Sequence, residues 1–331
     1  MKRHKICKII FAILAVFLCV AFYELIGICV TYKKQPAVSD ATIKETQNIM
    51  SVAGRENTER AVIIEKNSQA LLERVRLIQN AKDEIILSTF AFKSDESGKL
   101  ILGALHDAAD RGVHVRILVD GMESWIDMEG NPYFYGLSSH ENVEIKLYNK
   151  ANPLKPWKTM GRMHDKYLIA DGKIYILGGR NTYNYFLGDF PGHKNFDRDV
   201  LVVCDEPQKD NSVNQLWNYF ETIWEQEDCR YFHNSKKLAD RQSVKKAVLE
   251  LQEGYQQYFE VNKEKICDTD YADETFETEK IILLSNPIHT QAKEPVVWYQ
   301  LGELMKNAKE RVKIHTPYII CLLYTSPSPR D

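Results

Sequence analysis

The sequence predicts an α/β fold, a sheet covered by helices, and three observations carry that prediction. Between residues 68 and 149 helical and strand periodicities alternate, the pattern of strands joined by helices that pack back onto a sheet. Residues 163–177 then read as two strands joined by an Asp-Gly turn. Third, LIQNAKDEIILSTFAF (77–92) aligns without gaps with LMKNAKERVKIHTPYI (304–319) at a constant offset of 227 residues. A second copy of the same helix–strand unit is therefore expected to begin near residue 280.

Taken in order, residues 1–8 form a basic tail with Lys2, Arg3, Lys5 and Lys8. The run from Ile9 to Tyr23 is uninterrupted in its apolarity and, after Glu24, resumes to Tyr32. Residues 9–32 are long enough to cross a bilayer as one helix. A cleaved signal peptide is the competing reading, but no clear A-x-A site follows, so an uncleaved single-pass anchor in the cell membrane is expected. Four basic residues precede the span and Lys33 and Lys34 follow it, which puts the N-terminus in the cytoplasm and the rest of the chain outside. Residues 33–60 are polar without apolar periodicity and read as a stalk.

The first domain is expected at 61–228. Residues 68–82 read as a helix with Ser68 as its cap, 84–92 as a strand, 98–112 as a helix closed by Gly112, and 113–121 and 143–149 as strands. The following loop is basic. From Lys146 to Lys166 the chain carries Lys150, Lys155, Lys158 and Arg162 as well, with Asp165 the only acid. In a chain of net charge −3 this is the expected surround of an anionic substrate, the plain alternative being a solvated surface loop. Trp157 in this loop reads first as packing and second as an interfacial lipid contact. Residues 229–279 are charged, with helical patches, and are expected to connect two domains. Residues 280–320 would start the second domain without finishing it, since the offset places a second histidine near position 391, beyond the 331 residues. The last eleven residues, CLLYTSPSPRD (321–331), fit neither the repeat nor a domain end. They are expected to be translated sequencing adapter, with a Ser/Pro-rich tail as the alternative.

The composition, 44% hydrophobic and 27% charged, is that of an ordinary globular chain with room for about two domains, and the net charge gives no general attraction to nucleic acid. Of the seven cysteines, only Cys229 and Cys267 stand in polar surroundings; unpaired thiols are expected, with a single disulfide between them as the alternative.

The chemistry concentrates in MHDKYLIADGKIYILGGRN (163–181). If residues 163–170 are a strand, His164 and Lys166 share a face while Tyr167 and Ile169 pack on the other. An imidazole beside an ammonium is poorly explained as core and well explained as a nucleophile or acid next to a phosphate-binding cation. The spacing H-x-K-x-x-x-x-D of His164, Lys166 and Asp171, followed by Gly178-Gly179-Arg180-Asn181, by FDRDVLVV (196–203) and by LWNYFETIW (216–224), resembles the phospholipase D superfamily, which includes the bacterial cardiolipin synthases. The resemblance runs over about 68–224 and resumes at 280.

That resemblance implies a phospholipase D-like sheet, complete in a first domain and truncated in a second, preceded by one transmembrane helix. It implies a phosphodiesterase or phosphatidyltransferase acting on phospholipid, in which two H-x-K motifs meet across two similar domains and one histidine becomes a phosphohistidine. His164 is then nucleophile or acid, Lys166 binds the non-bridging oxygens and Asn181 donates to the same phosphate. Asp171 is implied as a supporting catalytic residue, a plain turn residue being the rival reading. Asp197 is implied to orient a histidine, with Asp199 as its rival. No cofactor or metal is implied, and no His/Cys/carboxylate cluster has ligand spacing. The implied partners are phospholipid and the membrane, with a homodimer standing in for the missing second domain. The alternative function is a nuclease of the same fold, which the anchor and charge disfavour; a binding protein with a degenerate second motif is the non-enzymatic alternative. His106, His114, His140, His193, His233, His289 and His315 lack partners at useful spacing and are expected to be structural or exposed.

Overall fold

The computed structural model describes residues 2–51, 58–152, 154–233 and 235–314. The calls on 321–331, and on the part of the repeat beyond 314, lie outside the described residues. Among the described residues the α-helices and β-strands follow in chain order: α1 (Lys2–Tyr32), α2 (Asp40–Ser51), β1 (Arg60–Ile64), α3 (Asn67–Asn80), β2 (Glu84–Thr89), α4 (Glu96–Asp110), β3 (His114–Asp120), α5 (Gly121–Asp127), α6 (Pro132–Ser138), β4 (Val143–Tyr148), β5 (Tyr167–Ala170), β6 (Ile174–Gly178), β7 (Asp199–Val203), α7 (Ser212–Trp224), β8 (Cys229–Tyr231), α8 (Lys236–Ala239), α9 (Gln242–Cys267), β9 (Phe276–Glu277) and α10 (Val296–Lys306).

The strands form one mixed sheet in the order β8-β4-β3-β2-β5-β6-β7-β1-β9. Its centre, β2-β3-β4, is parallel because α4 and then α5 and α6 carry the chain back across one face. β5 runs antiparallel to β2 and forms a hairpin with β6. Central strands bury both faces, and the apolar runs Ile85-Ile86-Leu87 and Ile117-Leu118-Val119 are buried throughout. On one face Ile85, Leu87, Val115 and Ile117 pack under α3, α4, α6 and α9. On the other, Ile86, Leu118, Tyr167 and Ile169 pack under α7 and under Ile281, Leu283 and Ile288. The α/β sheet covered by helices is thus what the alternation predicts.

Several stretches differ from their reading. The stalk contains α2, tied to the rest by Glu294, whose carboxylate accepts from the Ser39 amide and from the Ser39 and Thr42 hydroxyls. The charged stretch read as a connector adds β8 to the edge of the sheet. It also adds α9 to the main core, through the stripe Val244, Leu251 and Tyr255 on an otherwise polar helix. Ser68 does not cap α3, which begins one residue earlier. There Asn67 bonds the Asn195 carbonyl and receives Arg180 instead. Cys229 and Cys267 are both free, one buried and one exposed. The second unit shows a helix, α10, and no strand up to residue 314.

α1 is 31 residues, which at ~1.5 Å per residue is about 46 Å. Its last turns touch the domain. The Tyr23 hydroxyl donates to the Leu154 carbonyl (3.4 Å), the Thr159 hydroxyl to the Glu24 carboxylate (3.3 Å) and the Tyr32 hydroxyl to the Thr290 carbonyl (2.9 Å). At Gly27 a Cβ would lie 2.5 Å from the Pro156 ring, so the bare helix backbone rests on that proline.

Candidate active site

The registers of β2 and β5 decide what meets. Ser88 opposes Tyr167 and Ile85 opposes Ala170, so residues before Tyr167 lie beside the end of β2 and residues after Ala170 lie beside its start. His164 and Lys166 fall at the first edge, just ahead of the regular ladder, which begins at Tyr167 rather than at Met163. The same edge receives 178–181 at the end of β6 and 197–199 at the start of β7. His164, Lys166, Asn181 and Asp197 are therefore gathered on one edge, and Asp171 is not.

At that edge Phe90, the residue after β2, is the common surface. The His164 ring stands edge-on to it, 4.5 Å between centroids. The Lys166 ammonium lies 5.6 Å and the Arg162 guanidinium 5.2 Å from the centre of the same ring. Lys166 Nζ donates to His164 Nδ1 at 2.9 Å and to the His164 carbonyl at 2.6 Å. Because an ammonium can only donate, Nδ1 is the acceptor and the neutral ring carries its own proton on Nε2. Arg162 is aimed by Asp120, which is buried at the end of β3. That carboxylate accepts from Arg162 Nε at 2.9 Å, from the Met163 amide at 3.1 Å and from the Met122 amide at the start of α5 at 3.0 Å.

The electrostatics suit anion binding. Burial, and then the neighbouring Lys166, hold the His164 pKa below the ordinary histidine value, so the ring is neutral near pH 7. Lys166 is 7% exposed, and burial pushes its ammonium down to about 8, partly offset by Asp165 and Asp197. Asp165 points to the other face, where burial raises its pKa and the Tyr219 hydroxyl donates to it at 2.8 Å. Asn181 is buried. Its Oδ1 accepts from the Ala91 amide at 3.2 Å, while its Nδ2 makes no hydrogen bond among the described residues and remains free to donate.

Asp197 and Asp199 sit against a glycine pair. A Cβ on Gly179 would fall 2.0 Å from an Asp197 carboxylate oxygen, and one on Gly178 equally close to Asp199. The two aspartates have different work. Asp199 is fully buried between Arg74 (2.9 Å) and Arg180 (3.3 Å). Asp197 is half-buried, its carboxylate accepting from the Arg198 amide, and its field favours the charge on Lys166. Arg180 holds both in place: besides Asp199 it bonds the carbonyls of Ile64 (3.2 Å), Glu65 (2.6 Å) and Asp197. Its partners lie more than a hundred residues away or across a loop, so no local pattern marks it. Phe90 and Asp120 are likewise invisible as site residues, and Arg162 shows only as one of several loop cations.

Asp171 occupies the opposite end of β5. With φ of 51° at Asp171 and 62° at Gly172, and the Lys173 amide donating to the Ala170 carbonyl, the hairpin turn is the type that Asp-Gly favours. The Asp171 carboxylate accepts from the amides of Lys82 (2.9 Å), Asp83 (2.8 Å) and Glu84 (3.0 Å), clamping the turn between α3 and β2. Its place in the motif is structural and does not bring it to the imidazole. Other histidines bond elsewhere: His106 and His140 share Asp110, His114 meets Glu144, and His233 meets Glu129, while His315 lies outside the described residues. Among the described residues no group of three or more His, Cys, Asp or Glu is placed to hold a metal.

Comparison with known proteins bears on the same stretch. The family described as "Cardiolipin synthase, PLD-like domain" matches residues 75–224, from within α3 to the end of α7. An uncharacterized protein of Helicobacter pylori (strain ATCC 700392 / 26695) is 27% identical over 292 residues, covering 80% of this chain and 55% of the relative. Cardiolipin synthase C of Escherichia coli K12 is 29% identical over 154 residues, covering 42% of this chain and 31% of the relative. The chain thus spans about half the length of the first relative and about a third of the second. Among solved structures, a phospholipase D family member, Nuc from Salmonella typhimurium, superimposes with a TM-score of 0.39 at 18% identity, covering 53% of this chain and 99% of that one.

Proposed function

We propose, from the match of residues 75–224 to the phospholipase D-like domain of cardiolipin synthase, that the chain is a membrane-anchored phosphodiesterase or phosphatidyltransferase acting on phospholipid through a phosphohistidine at His164. The observation that carries this reading is the pairing of a neutral imidazole with a buried ammonium 2.9 Å away on an open sheet edge. As substrate enters, its non-bridging oxygens compete for Lys166. When Nζ leaves Nδ1 for the phosphate, Nδ1 can carry the ring proton and Nε2 can present its lone pair to phosphorus. The P–N bond forms as the bond to the leaving alkoxide breaks, and the alkoxide takes a proton from a second histidine. In the second half that histidine deprotonates water or an alcohol, which displaces His164 from phosphorus. Lys166, Arg162 and the Asn181 amide meet the charge that grows on the phosphoryl oxygens.

The 331 residues contain one H-x-K pair, so the second histidine comes from another domain or another copy of the chain. Lipid as substrate is supported by the apolar helix α1 (Lys5–Tyr32 is long and apolar enough to span) and by the basic loop beside the site. The test offers mixed phospholipid vesicles and, in parallel, single-stranded and duplex DNA. His164→Ala should lose at least ~10²–10⁴-fold in lipid turnover, and quenching wild-type turnover should trap an acid-labile phosphoryl group on His164. Cleavage of DNA that depends on His164, with every phospholipid left intact, would replace this reading with the nuclease.

A further inference from the structure

We propose that the loop between β4 and β5, together with the start of α5, is a seat for an anionic bilayer surface that holds the mouth of the site against lipid headgroups. The inference rests on α1 being the membrane anchor, not on which phosphodiester is cut.

The length of α1 fixes where the loop lies. A hydrocarbon core of ~30 Å takes about 20 residues of helix, and α1 with its 31 exceeds that by roughly half. The surplus is at its C-terminal end, because the contacts to the domain are made by Tyr23, Glu24, Gly27 and Tyr32. Residues 5–22 remain for the membrane, about 27 Å of helix. Leu154, Pro156 and Thr159, which hold the helix where it emerges, are therefore placed at the headgroup layer. Glu24, awkward inside a span, is there outside the hydrocarbon and bonded to Thr159.

The surface of this loop has the composition that such a layer selects. Leu154 is 77% and Met160 57% exposed, and Trp157 is partly exposed between them. Trp125, 62% exposed, stands in α5, whose first residue Gly121 abuts the Lys150 backbone. Large apolar side chains left in water beside a site, with cations among them, mark an interaction surface. Behind them Lys150, Lys155, Lys158 and Arg162 line a cavity of about 210 Å³ with Glu24 as the single acid. Lys158 is paired with Asp228 and Arg162 with Asp120, whereas Lys155 has no ion-pair partner among the described residues. Exposed tryptophan, exposed apolar side chains and an unneutralised lysine on one loop fit an anionic bilayer better than a protein or nucleic-acid partner.

The test follows backbone hydrogen exchange over residues 154–160 in the full chain. It is run in nanodiscs of phosphatidylcholine, in nanodiscs of phosphatidylcholine with phosphatidylglycerol, and in detergent micelles with and without inorganic phosphate. Exchange should slow in the anionic discs relative to the neutral ones, by roughly fivefold for each lysine engaged. In Leu154→Asp/Lys155→Glu, both positions being exposed, the anionic discs should give the neutral-disc rate. Equal rates in the two discs, or slowing that survives the double variant, overturn the seat. The same slowing with inorganic phosphate in micelles would make the cavity a free-anion site and overturn it as well. A chain that stays in neither disc overturns it together with the anchor. Because the readout involves no turnover, a protected loop on an enzyme that cuts only DNA would sink the lipid reading and leave the seat standing.

Discussion

Lys166 governs how the site should respond to pH. Its ammonium is buried, with a pKa pushed down to about 8, while His164 is held below the ordinary histidine value. The proposed mechanism needs the imidazole neutral and the ammonium charged before substrate binds. kcat/KM should therefore rise as His164 loses its proton and fall as the pH passes about 8 and Lys166 loses its own. Lys166→Arg should abolish the alkaline limb, because a guanidinium stays charged, and should still lower the plateau, because a planar fork does not replace a compact donor. The same burial has a sign for stability. A lysine depressed in the folded state is held charged against its preference below about 8, a destabilisation relieved as pH climbs toward its unfolded value. Lys166→Met should accordingly stabilise the fold at neutral pH by about 1–3 kcal/mol while removing activity, read as a higher urea midpoint in an inactive protein. Asp171 should behave in the opposite way. Asp171→Ala loses a carboxylate shared by three backbone amides and should cost about 2 kcal/mol. The molecules that remain folded should keep the wild-type pH profile, and a shifted profile would return Asp171 to the chemistry.

The hairpin of β5 and β6 with the Gly-Gly-Arg-Asn turn after it is the element that assembles the site. Gly179→Ala places a methyl inside the space of the Asp197 carboxylate and should reduce turnover with little loss of fold, since Asp197 is half-buried and can move. Gly178→Ala meets the buried Asp199 and the Arg198 backbone and should cost about 1–3 kcal/mol or more in unfolding. Arg180→Ala leaves Asp199 buried beside Arg74 alone and strips three carbonyls of their donor, a loss of about 3–5 kcal/mol measured by the same unfolding. The hairpin was legible in the sequence because alternation and Asp-Gly are local signals, and the H-x-K face was legible for the same reason. What holds the hairpin was not. Arg180 finds Ile64, Glu65 and Asn67 only after β1 has paired with β7, and Phe90 becomes the floor of the site only because β5 lies antiparallel to β2. α9 reads as a connector in the sequence because five buried positions in 26 residues are too few to outweigh its charges, although they suffice to pack it onto α3, α4 and α6.

At the scale of the whole molecule, the proposed two-histidine scheme predicts that activity depends on association, because the 331 residues carry one H-x-K pair. Turnover by the 331-residue chain should track self-association: in detergent it should rise more steeply than linearly with concentration until the dimer is saturated, with sedimentation run alongside. A strictly monomeric preparation that turns over at full rate would contradict the two-histidine scheme. Mixing His164→Ala chains with wild-type ones should lower the activity below that of the wild-type share alone, because each mixed pair lacks one imidazole. The antiparallel placement of β5 also bears on how descent can be read in such chains. One short motif stretches from an edge where selection acts on chemistry to an edge where it acts on folding. A copy that had abandoned catalysis would be free to lose His164 and Lys166 while still being obliged to keep Asp171 and Arg180. A search that scores every motif position alike would then file the relic among working enzymes, and the contrast between the two ends of one strand is what would expose it.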